Sequence, residues 1–279
     1  MKPSRVVHGD NLDVLSTIAT SSIDLVYVDP PFNTGRAQTR RRIKTVRDEA
    51  GDRKGFGGRR YRTIEVSSSS FADAFDDYSS FLEPRIREAH RVLKPTGSFY
   101  LHLDYREVHY CTVLVDRIFG RDNFRNEIIW AYDYGARSKT RWPCKHDNIL
   151  YYAKDRARCF FDLEEVDRIA YMAPSLVGEE KAARGKLPTD TWWHTIVSPT
   201  GKEKLGYPTQ KPLGVLSRIV KASSPRGGVV LDFFAGSGTT GAAALAAGRR
   251  FILVEHGKEA IAVMKRRFAG RDDVEFSRA

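Results

Sequence analysis

Val229-Val230-Leu231-Asp232-Phe233-Phe234-Ala235-Gly236-Ser237-Gly238-Thr239-Thr240-Gly241 joins an apolar run, a glycine-rich turn and the start of an alanine-rich segment. The run predicts a strand. Gly236, Gly238 and Gly241 satisfy G-x-G-x-x-G, so the turn lets backbone approach a ligand at the strand's carboxyl end. The next apolar run, residues 251–254, ends at Glu255. Near the other end of the chain, Ile23-Asp24-Leu25-Val26-Tyr27-Val28 is an apolar run stopped by Asp29-Pro30-Pro31, which predicts a buried strand ended by prolines. Strands are also predicted at residues 5–8, 98–103, 127–131 and 149–152, and helices at 78–93, 107–119, 212–222, 239–247 and 258–268. This alternation predicts an α/β fold with a doubly wound, mostly parallel, Rossmann-like sheet.

The 279 residues are 41% hydrophobic and 11% aromatic, enough to build the core of one large domain with an inserted subdomain. Met1-Lys2-Pro3-Ser4-Arg5 is followed by no long apolar stretch, and no uncharged run approaches the ~20 residues that cross a bilayer. Cys111, Cys144 and Cys159 lack the paired spacing of a zinc site or a disulfide framework. A cytoplasmic protein without a metal is expected.

Lys and Arg number 46 against 35 Asp and Glu, a net charge of +11. Residues 36–62 hold eleven of those cations and three acids, so +8 of the excess lies in one stretch. It contains Arg40-Arg41-Arg42 and Arg59-Arg60, is broken by glycines and shows no apolar periodicity, so it is expected to be a mobile basic loop. Such a loop is either simply solvated or gains affinity by neutralising phosphates. Residues 154–206 interrupt the βα rhythm with prolines and a Trp192-Trp193-His194 cluster, and are expected to form an inserted recognition subdomain. That divides the chain into a catalytic half at 1–153, the insertion, and a cofactor half at 207–279.

At the glycine-rich turn, Glu255 could hold ribose hydroxyls, as in nicotinamide enzymes. Asp232 argues against a dinucleotide, because it would meet the pyrophosphate with like charge. A cationic nucleoside suits it better, and S-adenosylmethionine carries both an ammonium and a sulfonium. In Asp29-Pro30-Pro31-Phe32, a carboxylate, two carbonyls and a ring sit where α/β sheets bind ligands. The lone pair of a base's exocyclic amino group is delocalised into the ring. If Asp29 accepts one amino hydrogen and the carbonyl of Pro30 or Pro31 the other, electron density stays on nitrogen as it attacks a methyl group. Phe32 would stack on the base, which must first leave the duplex.

Together the two blocks resemble those of the β-class DNA amino-methyltransferases, the adenine-N6 and cytosine-N4 modification enzymes in which D-P-P-F/Y precedes F-x-G-x-G. The likeness extends over nearly the whole chain, through His8-Gly9-Asp10-Asn11, Leu93 to Asp104, Glu127 to Trp130, His146 to Leu150 and Tyr207-Pro208-Thr209-Gln210-Lys211-Pro212. It implies that Asp10 and Asn11 approach the cofactor's adenine, Asp232 its ammonium, Glu255 its ribose and Lys211 its carboxylate. Phe234, Gly236, Ser237, Gly238 and Thr239 would line the same site. It also implies DNA as partner, with residues 154–206 reading the target; the basic stretch is unusual in its charge density, and its place directly after Phe32, not the resemblance, leads to the expectation that Arg40, Arg41, Arg42, Arg59 and Arg60 lie on phosphates. A companion restriction endonuclease and a monomer or homodimer are left open. Asp rather than Ser at the head of the catalytic block favours adenine over cytosine-N4, with a nicotinamide-dependent dehydrogenase the more remote alternative. His146 and His194 are isolated, His102 and Asp104 read as a satisfied strand end, and Trp192 and Trp193 read as packing within the insertion.

Overall fold

A computed structural model describes residues 3–35, 38–54, 58–71, 73–135, 137–198 and 200–279. They fall into two units, Met1–Pro30 with Asp77–Ala279, and Pro31–Asp76.

The first unit contains the strands β1 (Ser4–His8) and β2 (Ile23–Val28). Its later strands are β6 (Leu93–Leu103), β7 (Phe124–Ala131), β8 (His146–Ala153), β9 (Thr191–Trp193), β10 (Val229–Asp232), β11 (Arg250–Glu255) and β12 (Val274–Arg278). They form a nine-stranded sheet in the order β12-β1-β11-β10-β2-β6-β8-β7-β9. Among the described residues β8 alone runs against its neighbours. The doubly wound, mostly parallel sheet expected from the sequence is therefore present.

Its helices are α1 (Asn11–Thr17), α2 (Tyr78–Val92), α3 (Val108–Phe119), α4 (Glu179–Arg184), α5 (Leu213–Ser223), α6 (Thr239–Ala246) and α7 (Lys258–Arg267). Strand β2 is buried throughout, as a central strand with both faces covered must be. Leu25 and Tyr27 join one cluster with Val230, Leu253 and residues of α5, α6 and α7, while α1, α2 and α3 pack on one another. Helix α2 starts where the Asp77 carboxylate accepts the Ser80 N–H, and it buries Tyr78, Leu82, Ile86 and Ala89 along one stripe. From its last turn, Arg91 donates to the carbonyls of Leu15 and Ile18, the C-terminal acceptors of α1. Asp24 accepts from Lys94 Nζ and from the Val229 N–H, tying the starts of β2, β6 and β10 together.

Strands β2 and β10 are adjacent, with Leu231 opposite Val26. From β10 the chain passes through α6 to β11 on one side, and from β2 it goes on to β6 on the other. The crevice outside their carboxyl ends is the topological switch point, where open α/β sheets bind ligands.

In this unit α1, α4, β9 and β12 were not expected from the sequence. Helix α1 spans seven residues, too few to display a period, and β9 and β12 are short edge strands with exposed residues. The described residues of 154–206 contain a 3-10 turn (Pro174–Leu176), α4, β9 and otherwise irregular chain. They are tied back by Asp167 to Arg218 of α5 and by Glu165 to Arg226 and Arg249.

In the second unit the structure corrects the expectation of a loop at residues 36–62. Strands β3 (Gln38–Arg47), β4 (Arg53–Lys54) and β5 (Arg60–Phe71) form an antiparallel sheet in the order β3-β5-β4. The run Arg40-Arg41-Arg42 is paired with Ser69, Ser68 and Ser67. Thr39, Ile43, Thr45, Val46, Thr63, Ile64 and Val66 favour extended backbone, and cross-strand hydrogen bonds need no buried face. The alternation that usually marks a strand is for that reason absent. Gly51 lies against the backbone of Tyr61, where a Cβ would come within 2.2 Å of a carbonyl oxygen. At the base of the unit Asp73 accepts the Asn33 N–H and the Thr34 hydroxyl, and Asn33 Oδ1 accepts the Phe75 N–H.

Candidate active site

Asp232 ends β10 almost wholly buried. Its Oδ2 accepts the Thr240 hydroxyl at 2.6 Å and its Oδ1 the Phe234 N–H at 3.0 Å. Burial pushes its carboxyl up to about 7, the two hydrogen bonds counteract this, and the charges of Asp29 and Glu255 raise it further. Glu255, at the end of the adjacent β11, accepts the Gly236 N–H at 2.9 Å and the Gly257 N–H at 2.7 Å. It thereby holds the glycine-rich turn in place. Gly236 and Gly238 have φ of 49° and 75°, and a Cβ on Gly238 would lie 2.8 Å from Met264. Gly238 is the N-cap of α6, and the hydroxyls of Ser237 and Thr239 on either side of it pair at 3.0 Å.

From the other side, Asp10 caps α1 by accepting the Leu12 N–H. Asn11 Nδ2 donates to the Phe233 carbonyl at 3.1 Å, and Arg85 Nε donates to Asn11 Oδ1 at 2.8 Å. The Arg85 guanidinium lies over the Phe81 ring, which packs against Phe234. Sequence reading passed over Phe81 and Arg85. Only tertiary contact brings α2 to the turn, so no local signal marks them.

Asp29 follows β2 in the same edge. Its Oδ1 is buried and makes no hydrogen bond to any described residue, while Lys211 Nζ approaches it to 3.0 Å as an ion pair. Lys211, which the resemblance directs to the cofactor's carboxylate, here faces Asp29. Behind them Tyr27 Oη meets His102 Nδ1 at 2.7 Å, and His102 Nε2 meets Asp147 Oδ2 at 3.1 Å. Asp147 also accepts the Tyr132 hydroxyl at 2.9 Å. Burial alone would raise Asp147, but the His102 bond, the Lys211 charge and the Tyr132 bond outweigh it and leave the carboxyl below its ordinary value. His102 thus bridges the Tyr27 hydroxyl and the Asp147 carboxylate through its two ring nitrogens. Burial, with Asp29, Asp232 and Asp147 nearby, pushes the Tyr27 phenol well above its usual range.

Pro30 closes the first unit, and Pro31 and Phe32 open the second, where both are half-buried. Arg59 and Arg60 are exposed, whereas the side chains of Arg40, Arg41 and Arg42 lie outside the described residues. Trp192 is buried with its ring under Arg218, and Trp193 is exposed. Among the described residues no cluster of His, Cys, Asp or Glu could hold a metal ion.

A family model described as DNA methylase, of the N6/N4 methyltransferase group, matches residues 23–266. The chain belongs to this family. It is a DNA methyltransferase, which sets aside the dehydrogenase alternative. Over 275 residues it is 32% identical to the DNA adenine methyltransferase YhdJ of Escherichia coli K12, covering 94% of this chain and 81% of that one. Its fold resembles the cytosine-N4-specific PvuII DNA methyltransferase, with a TM-score of 0.63, 18% identity and coverage of 97% and 90% of the two chains. It also resembles TTHA0409 of Thermus thermophilus solved with S-adenosyl-L-methionine, with a TM-score of 0.61, 22% identity and coverage of 99% and 98%. No helix among the described residues is long and apolar enough to cross a membrane.

Proposed function

We propose that this DNA methyltransferase uses S-adenosylmethionine to methylate the exocyclic amino group of an adenine turned out of the duplex. The observation that carries the reading is Asp29, a carboxylate at the switch point of the sheet whose buried Oδ1 is met by the Lys211 ammonium at 3.0 Å but takes no hydrogen bond of ordinary geometry. An acceptor with capacity left in a buried place suits an incoming N–H. Asp29 accepts one amino hydrogen and the carbonyl of Pro30 or Pro31 the other, holding electron density on the nitrogen; Phe32 stacks on the base.

Three carboxylates, Asp29, Asp232 and Glu255, repel one another at this edge, and such a corner favours a cation. S-adenosylmethionine fits that charge and supplies an electrophilic methyl group on sulfonium. Asp232 faces its ammonium, Glu255 its ribose and Asn11 with Asp10 its adenine, while Phe234 and the Gly236-to-Thr239 turn close around it. Residues 154–206 read the target, and Arg40, Arg41, Arg42, Arg59 and Arg60 lie on phosphates. A companion endonuclease recognising the same target belongs to the same reading.

Adenine is preferred because Asp opens the catalytic block and the relative YhdJ bears the name of an adenine methyltransferase. Cytosine-N4 is the second reading, favoured by the likeness to the PvuII fold. Incubation with labelled S-adenosylmethionine and mixed-sequence DNA, followed by digestion to nucleosides, decides between them. Label in N6-methyladenine is expected, label in N4-methylcytosine replaces the base, and no labelled nucleoside refutes the proposal.

A further inference from the structure

The hairpin loop between β7 and β8, residues 132–145, leaves the sheet at the edge that carries Asp29. Strand β6 is parallel to β2, with Leu101 opposite Val28, so both end there. Asn148 lies opposite Leu103 and Ala131 opposite His146, which puts the end of β7 and the start of β8 at that edge as well. Three strand spacings separate β2 from β7, about 14 Å, or roughly four base steps along a strand of DNA.

This loop carries Arg137, Lys139, Arg141 and Lys145 against the single acid Asp133, a net charge of +3. Trp142 within it is 93% exposed, and Tyr134 is exposed too. The loop is internally braced. Ser138 Oγ accepts the N–H groups of Thr140 and Arg141, and Lys145 Nζ donates to the carbonyls of Asp133 and Gly135. Arg141 donates to the Tyr105 hydroxyl at 3.0 Å, anchoring the loop beside the end of β6. Pro143 restricts the backbone of Trp142 to extended conformations. A large ring held out into solvent by a braced, cationic loop has no role in the core. Interleaved cations and an aromatic ring are what a nucleic acid selects, because phosphates take the charge and any base offers a face for stacking.

We infer that loop 132–145 is a DNA-contact element in which Trp142 stacks on a base face uncovered when the target leaves the helix, while the loop's cations lie along flanking phosphates. The inference rests on the base-flipping reading above. Stacking on the exposed face replaces part of the stacking lost on extrusion.

The test titrates the full chain, with S-adenosylhomocysteine present, into a fluorescein-labelled mixed-sequence duplex. Trp142→Ala is expected to weaken binding roughly 5- to 100-fold, the range of a lost aromatic stack, and Trp142→Phe to recover most of it. The slope of log K against log salt stays unchanged in Trp142→Ala, because an indole releases no counterions, and becomes shallower by up to ~0.9 in Lys139→Ala. DNA protects part of the wild-type tryptophan fluorescence from acrylamide, and Trp142→Phe removes that protected part. Undiminished affinity in Trp142→Ala, in a preparation whose wild type methylates DNA, overturns the loop inference alone. Loss of self-association in Trp142→Ala, seen by sedimentation, also overturns it by showing that a second copy of the chain covers the ring. A wild type that methylates no DNA brings down the reading beneath it.

Discussion

Asp232 and Asp29 leave neighbouring strands, yet their surroundings differ. Both oxygens of Asp232 are bonded, to the Thr240 hydroxyl and the Phe234 N–H, and Glu255 beside it is bonded to two backbone N–H groups. That corner is already organised, and its tension is electrostatic, a buried carboxyl pushed up to about 7. The buried Oδ1 of Asp29 has the Lys211 ammonium at 3.0 Å as an ion pair but takes no hydrogen bond of ordinary geometry. Its acceptor capacity is only partly used. On the proposed reading the contrast separates binding from chemistry: a cation relieves the first corner, and an amino hydrogen uses the second. Removing each carboxylate should therefore damage a different step.

The largest effect is expected at Asp29. Asp29→Ala should lower the rate of methyl transfer on the order of 10²-fold or more while cofactor affinity stays within a few-fold, since the carboxylate acts mainly in the transition state. Single-turnover transfer, with calorimetry for the cofactor, measures both. Near-normal turnover by the folded variant would remove the distinction between the corners.

Next in size are Asp232→Ala and Glu255→Ala, each expected to weaken S-adenosylmethionine binding by roughly 1–3 kcal/mol, as for a lost charge-assisted hydrogen bond. Calorimetric titration that finds wild-type affinity in both variants would take the cofactor away from the glycine-rich turn.

The pH dependence sharpens the same comparison. A cationic cofactor selects the ionised form of Asp232, so protein that carries the proton must release it on binding. With the carboxyl titrating at about 7, affinity should fall as pH drops below that value, approaching tenfold per pH unit, and flatten above it. Asp232→Asn should abolish the slope. Calorimetry in buffers of different ionisation enthalpy reads the released proton directly, and no release at pH 6 contradicts the assignment.

What the sequence made legible follows from how local each signal is. The strand ending at Asp29 and the turn from Asp232 to Gly241 carry apolar runs, prolines and glycines within a dozen residues, and both appear where expected. The Lys211–Asp29 pair joins residues far apart in the chain, and the Tyr27–His102–Asp147 line depends on the antiparallel direction of β8. No local pattern specifies either one. The strands at 38–71 escaped for a different reason. Their pairing is carried by backbone hydrogen bonds between the arginine run and Ser67, Ser68 and Ser69, without the alternating apolar residues that a half-buried strand displays. The 132–145 loop was legible in principle, since Arg137-Ser138-Lys139-Thr140-Arg141-Trp142 already interleaves cations with an aromatic ring.

The smallest effect concerns the basic second unit, and it extends the contrast to regions that position DNA and regions that read it. Arg40, Arg41 and Arg42 lie on a strand reached directly from Phe32, so the chain tethers them to the catalytic block whatever their side chains contact. If they neutralise phosphates, replacing all three by Gln should weaken DNA binding about equally on every sequence and make the log K against log salt slope shallower, by up to ~0.9 per lost contact. Cofactor affinity should not move. Target preference should persist, because phosphate contacts position a protein while base contacts specify the site, and the base contacts are assigned to residues 154–206. An unchanged slope in filter-binding titrations would leave the three arginines merely solvated. A changed target choice would move sequence reading from the insertion to the antiparallel sheet at 38–71.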